Sequence, residues 1–134
     1  MTVLDTNFLV YLLNNKSAAD AADFYTNPKT TSISLYELYY GAWNSLKPKE
    51  NILKVNSLLK SVELLTFDKP AAEKAGEIQA VLMNTGEPID IQDVLIAGIV
   101  MSRNEELVTN DKHFRRIPGL KFRSWSPTDY GNKN

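Results

Sequence analysis

The chain begins with a short apolar run, Val3-Leu4, that stops on Asp5-Thr6-Asn7 and gives way to a longer apolar stretch, Phe8 to Leu13. A run too short for a helix, followed by one long enough to start a helix, predicts strand, acidic turn, helix. That alternation continues. Ser17 to Tyr25 is Ala-rich and predicts a short helix capped by Ser17 and closed before Asn27-Pro28. Thr30 to Ser34 predicts a second strand, and Ser34-Leu35-Tyr36-Glu37 has the capping-box spacing that opens a helix. This helix carries two apolar stripes: Leu35, Leu38, Tyr39, Ala42 and Leu46 make one, and Tyr36, Tyr40 and Trp43 make the other. Such a helix is either buried all round or shared with a partner. In a small domain the second stripe is read as a partner surface, against the alternative that it completes the core.

Beyond Pro48, the positions Ile52, Leu53, Val55, Leu58 and Leu59 predict a core-facing stripe that closes a helical hairpin. Val62 to Leu65 predicts a third strand. Asp68 with Pro70 predicts a capped helix running through Met83 to a stop near Gly86. Acids then meet an apolar run, Val94 to Met101, which predicts a buried helix with Asp90 at its N-cap and Asp93 in its first turn, where the helix dipole favours a charged carboxylate. Leu107 to Thr109 predicts a fourth strand ending on Asn110-Asp111, Lys112 to Ile117 a short helical turn, and Leu120 to Trp125 a last edge strand. The polar stretch Ser126 to Asn134 is expected to fray. Alternating strands and helices predict an α/β fold with a central parallel sheet of four to five strands flanked by helices.

A chain of 134 residues fits one domain over 1–134. With 15 Lys and Arg against 16 Asp and Glu, net charge gives no general argument for a nucleic-acid partner. Only a local one remains, in the cluster of Lys112, Arg115, Arg116, Lys121 and Arg123, which reads equally as solvated surface or as phosphate contact. The absence of cysteine excludes disulfides and thiolate chemistry, and a single histidine, His113, excludes a histidine zinc cage. No apolar stretch approaches membrane-spanning length, so a soluble, cytoplasmic protein is expected.

Four acids, Asp5, Glu37, Asp93 and Asp111, each follow a predicted strand or open a predicted helix, and in a parallel sheet those positions share one edge. Each could be an ordinary helix cap, but their coincidence points to a cluster. Like charges about 5 Å apart at an effective dielectric near 20 repel by roughly 3 kcal/mol per pair, so such a cluster calls for a cation. Carboxylates without Cys or His select hard ions, Mg²⁺ or Mn²⁺. A divalent ion there can activate water and stabilise the leaving oxygen of a phosphodiester. No side-chain nucleophile is then required, and no phosphate-binding glycine loop is present.

The ordered segments Val3-Leu4-Asp5-Thr6-Asn7, Ser34-Leu35-Tyr36-Glu37-Leu38 with Gly41, Ile89 to Gly98 around Asp93, and Leu107-Val108-Thr109-Asn110-Asp111 with Phe114 resemble the successive motifs of PIN-domain ribonucleases. The likeness is greatest to VapC-type toxins of VapBC toxin-antitoxin pairs, and it covers almost the whole chain. The resemblance implies a three-layer PIN-like fold and a Mg²⁺- or Mn²⁺-dependent endoribonuclease that uses metal-activated water. Carried over by motif, Asp5, Glu37, Asp93 and Asp111 would be catalytic and metal-binding, with Thr6, Asn7 and Thr109 orienting carboxylates and waters. It also implies an RNA substrate, a homodimer, and an antitoxin protein covering the site, for which Tyr36, Tyr40 and Trp43 are the expected contact. Asp90 is an extra acid that the family pattern does not require; it is an N-cap or a fifth acid at the rim, with the cap favoured.

Two competing readings stand beside this one. An aspartate-nucleophile phosphatase also places an acid after its first strand, but its usual second Asp is here Asn7. A catalytically silent PIN-like module that binds protein or RNA would share the fold, though retention of all four acids argues against it.

Overall fold

In the computed structural model, residues 2–14 and 27–126 are described; the helix expected over 17–25 and the tail beyond Ser126 lie outside them. Five strands form one sheet: β1 (Thr2–Leu4), β2 (Lys29–Thr31), β3 (Glu63–Leu65), β4 (Glu106–Val108) and β5 (Phe122–Arg123). Their order is β3-β2-β1-β4-β5, every neighbouring pair is parallel, and β1 is central. The helices are α1 (Thr6–Asn14), α2 (Ser32–Trp43), α3 (Pro48–Leu59), α4 (Lys69–Asn84) and α5 (Ile91–Ser102), with a 3-10 turn at Lys112–Arg116.

The two-residue period of a strand splits the core into two layers. Val3 and Leu107 face a cluster built from α4 and α5, including Ala75, Ile78, Val94 and Ile99. Leu4 and Val108 face the other cluster, with Phe8, Leu9 and Leu12 of α1, Leu38 and Ala42 of α2, and Val55 of α3. A sheet covered on both sides needs apolar residues at successive positions, as Val3-Leu4 in β1 and Leu107-Val108 in β4 supply. On one flank α4 and α5 approach so closely that a Cβ at Gly98 would stand 2.7 Å from both the Ala71 carbonyl oxygen and Ala75 Cβ. Gly98 thereby fixes the seat of α5.

Local chemistry sets the helix ends. Asp68 accepts from the Ala71 N–H at 3.1 Å to start α4, and Gly86, at φ 72°, lies just beyond its end. For α2 the expected capping box is not formed. The helix begins at Ser32, Thr31 is its N-cap, and the Thr31 hydroxyl accepts from the Ser34 N–H at 3.1 Å. A hydroxyl three residues earlier wins the capping position, leaving Ser34 buried inside the first turn and Glu37 free of any capping duty. The helix also ends at Trp43, so Leu46, expected on the core stripe, is fully exposed. Leu53 of α3 is exposed too, and of that helix only Val55 is fully buried. The last strand is shorter than expected, because only Phe122 and Arg123 reach β4. Among the described residues no helix is long and apolar enough to cross a membrane.

Candidate metal centre

β1 and β4 are neighbours, so the residues that follow them meet at the carboxyl end of the sheet. Asp5 is buried there, and both its oxygens are held. Oδ1 accepts from the Thr6 N–H at 2.8 Å, and Oδ2 accepts from the Thr109 hydroxyl at 2.6 Å. The same Thr109 oxygen accepts from the Asp111 N–H at 3.0 Å, which ties the exit of β4 to the carboxylate after β1. From the other side, the Thr6 hydroxyl donates to Glu37 Oε1 at 2.7 Å and lies 2.9 Å from Ser34 Oγ. Threonines thus link Asp5 to Asp111 and α1 to Glu37.

Asp93 reaches the same edge from α5, which runs back across the sheet. Its N–H donates to the Asp90 carbonyl at 3.0 Å, in the first turn as expected. Burial, and then the charges of Asp111, Asp5, Glu37 and Asp90, push its carboxyl up to about 7. Desolvation and four like charges thus act against the helix dipole, which favours the charged carboxylate. Asp5 is raised as well, chiefly by burial, against the lowering hydrogen bonds from Thr109 and Thr6, with Glu37 and Asp111 adding repulsion. Four acids on four segments therefore share one electrostatic field.

One atom each from Asp93, Asp111 and His113 lie within 4.8 Å of one another, a group that could hold a metal ion. Asp5 and Glu37 stand outside that tightest trio, but both act on Asp93 through charge. His113 was missed by sequence reasoning, which used it only to exclude a zinc cage. Its backbone N–H donates to Asp111 Oδ1 at 2.9 Å, and its Nδ1 lies 3.0 Å from the same oxygen. The available signal was its position two residues after Asp111, where an Asp-capped turn folds the ring back.

The remaining expected positions divide. Asp90 occupies the N-cap of α5 through its backbone, but its side chain makes no capping bond and stays exposed, so its effect on the site is one of charge. Asn7 is exposed, and its side chain has no hydrogen-bond partner among the described residues. Tyr36, Tyr40 and Trp43 are each about 60% exposed (59%, 62% and 64%), which removes the reading that they complete the core.

A family model described as PIN domain matches residues 2–120. The chain belongs to the PIN domain family. Among its relatives, the tRNA(fMet)-specific endonuclease VapC of Salmonella typhimurium is 37% identical over 127 residues, covering 92% of this chain and 96% of that protein. Among solved structures, a DNA-bound VapBC complex from Salmonella typhimurium superposes with a TM-score of 0.87 at 36% identity, covering 93% of this chain and 98% of that one. VapBC2 from Rickettsia felis, bound to a promoter DNA fragment, gives a TM-score of 0.84 at 31% identity, with the same coverage. The PIN fold explains why acids far apart in sequence meet at one sheet edge here.

Proposed function

We propose that this PIN domain is an endoribonuclease of the VapC type, acting in the cytoplasm as the toxin of a toxin-antitoxin pair. The observation that carries the chemistry is the convergence of Asp5, Glu37, Asp93 and Asp111 on one edge, with threonine hydroxyls fixing two of them. The donor set fits a hard divalent ion. It is all carboxylate apart from His113, lacks thiolate, and combines burial with like charges that together push the Asp93 carboxyl up, a penalty that a cation would offset. Mg²⁺ or Mn²⁺ at this position supplies Lewis-acid activation of water and stabilisation of the leaving oxygen.

The chain's own residues do the rest. Asp5, Glu37, Asp93 and Asp111 would hold the ion, and Thr109 and Thr6 keep the Asp5 and Glu37 carboxylates in fixed rotamers so that their geometry does not depend on the ion. Asn7 borders them from the exposed first turn of α1. The exposed stripe of Tyr36, Tyr40 and Trp43 runs along the helix that carries Glu37, so an antitoxin seated on it would lie over the site. A homodimer belongs with this reading, as does release of activity when the antitoxin is removed.

The test is RNA cleavage by the partner-free protein with Mg²⁺ or Mn²⁺, followed by analysis of the new ends. Because tRNA(fMet) is named for one relative, it is the first RNA to present. Attack by water leaves no 2′,3′-cyclic phosphate, whereas attack by the neighbouring 2′-hydroxyl does. Cyclic ends, or cutting that persists in chelator, would reject the mechanism.

A further inference from the structure

The five cations clustered near the C-terminus are not equivalent in the structure. Arg116 donates to the Pro88 carbonyl at 3.0 Å, Lys121 to Asn104 Oδ1 at 3.3 Å, and Arg123 pairs with Glu106 at 3.0 Å. These three are tied to the protein. Lys112 and Arg115 are exposed and have no hydrogen-bond or ion-pair partner among the described residues. Both line a cavity of about 190 Å³ whose other walls include Thr109, Asp111, Phe122 and Ser124. Thr109 and Asp111 belong to the acid cluster, so the cavity opens directly beside it. Its far wall is anchored, because Asn110 donates to the Trp125 carbonyl at 2.8 Å and accepts from the Trp125 N–H at 2.9 Å.

Two unpaired cations and an exposed aromatic ring make a chemically specific pair of walls. Cations complement a phosphodiester, and the face of a phenyl ring complements a base of any identity. We propose that this cavity is a nucleotide subsite: Lys112 and Arg115 take the phosphate next to the one being cleaved, and Phe122 stacks on the attached base. The inference rests on the ribonuclease reading and names how the strand is held. An acidic protein segment would also satisfy the cations, but it would gain little from Phe122 and has no reason to lie beside carboxylates that repel it. A phosphate chain does have one, since the next phosphate along belongs at the acid cluster.

The test is equilibrium binding of a labelled single-stranded RNA by the full chain in chelator, so that no strand is cut and binding is read apart from catalysis. Lys112→Ala with Arg115→Ala should weaken binding about tenfold and flatten the dependence of log K on log salt by about 0.7, for the one phosphate that is no longer neutralised. Phe122→Ala should weaken binding about tenfold without changing that slope. The charge-matched control, Lys49→Ala with Lys60→Ala, removes two exposed cations elsewhere and should leave the slope alone. With metal present, the Lys112/Arg115 variant should raise KM with kcat little changed. An unchanged slope and unchanged KM would overturn the subsite even if the parent cuts RNA. Binding of poly-glutamate that the two substitutions abolish, with RNA binding intact, would overturn it in favour of an acidic protein segment. Parent protein that binds RNA through these residues but never cleaves would instead overturn the nuclease reading and leave the subsite standing.

Discussion

Replacing Asp93 with Asn should make the metal-free protein more stable, not less, and the gain should depend on pH. In the folded chain the Asp93 carboxyl is pushed from 3.8 up to about 7. A folded-state pKa above the unfolded one means that the native state binds the proton more tightly. The resulting penalty is absent below the unfolded value, grows as pH rises, and is complete above about 7. A displacement of that size corresponds to roughly 4 kcal/mol. Asp93 is only partly buried, so solvent screening reduces this to about 2 kcal/mol. For a chain of this size that is about 6 °C in melting temperature. Thermal melts of parent and Asp93→Asn in chelator should therefore differ by about that much at pH 8 and by less than half of it at pH 5. The order should reverse with saturating Mg²⁺ or Mn²⁺, since the parent gains about 2.7 kcal/mol at a hundred times its Kd and the variant gains less. An Asn variant that melts below the parent at pH 8 in chelator would refute the claim that a charged Asp93 is penalised by burial and like charges at this edge.

Other consequences follow from single contacts. Thr109→Val removes the hydroxyl that bridges Asp5 and the Asp111 N–H, and should lower activity about 10- to 100-fold; the same variant should lose about 1–3 kcal/mol in denaturant unfolding, because Asp5 Oδ2 loses its buried donor while Oδ1 keeps the Thr6 N–H. Gly98→Ala adds a methyl where there is no room between α4 and α5, and should destabilise by about 1–3 kcal/mol in the same assay. At the opposite edge of the sheet, Lys29 and Glu105 form a buried ion pair at 2.7 Å. Lys29→Met strands the carboxylate and should cost about 3–5 kcal/mol, with the kcat of the folded fraction unchanged.

The parallel sheet and its central first strand were legible because both core layers demand apolar residues at adjacent strand positions, as Val3-Leu4 and Leu107-Val108 supply. The acids were legible as strand exits and helix starts. What the pattern did not carry was competition between equally suitable groups. Thr31 and Ser34 can both cap α2, and only the backbone extension at Thr31 decides between them. Likewise Leu46 and Leu53 fit a periodicity, but the helix that would bury Leu46 ends three residues too soon and the face of α3 that holds Leu53 looks outward. The upward push on the Asp93 carboxyl was only partly legible, because a helix start and neighbouring acids are visible in sequence and desolvation is not. His113 escaped notice because its partner oxygen is reached through a turn whose shape depends on the Asp111 cap.

The most direct test of the account is the cleavage of a mixed RNA pool by the purified, partner-free chain and by its Asp93→Asn variant, each with Mg²⁺ or Mn²⁺ and each with chelator. Cutting by the parent that requires the ion, together with at least a hundredfold loss in a variant that melts no lower than the parent in chelator, is the predicted result. Equal cutting by parent and variant, or cutting indifferent to chelator, would contradict it.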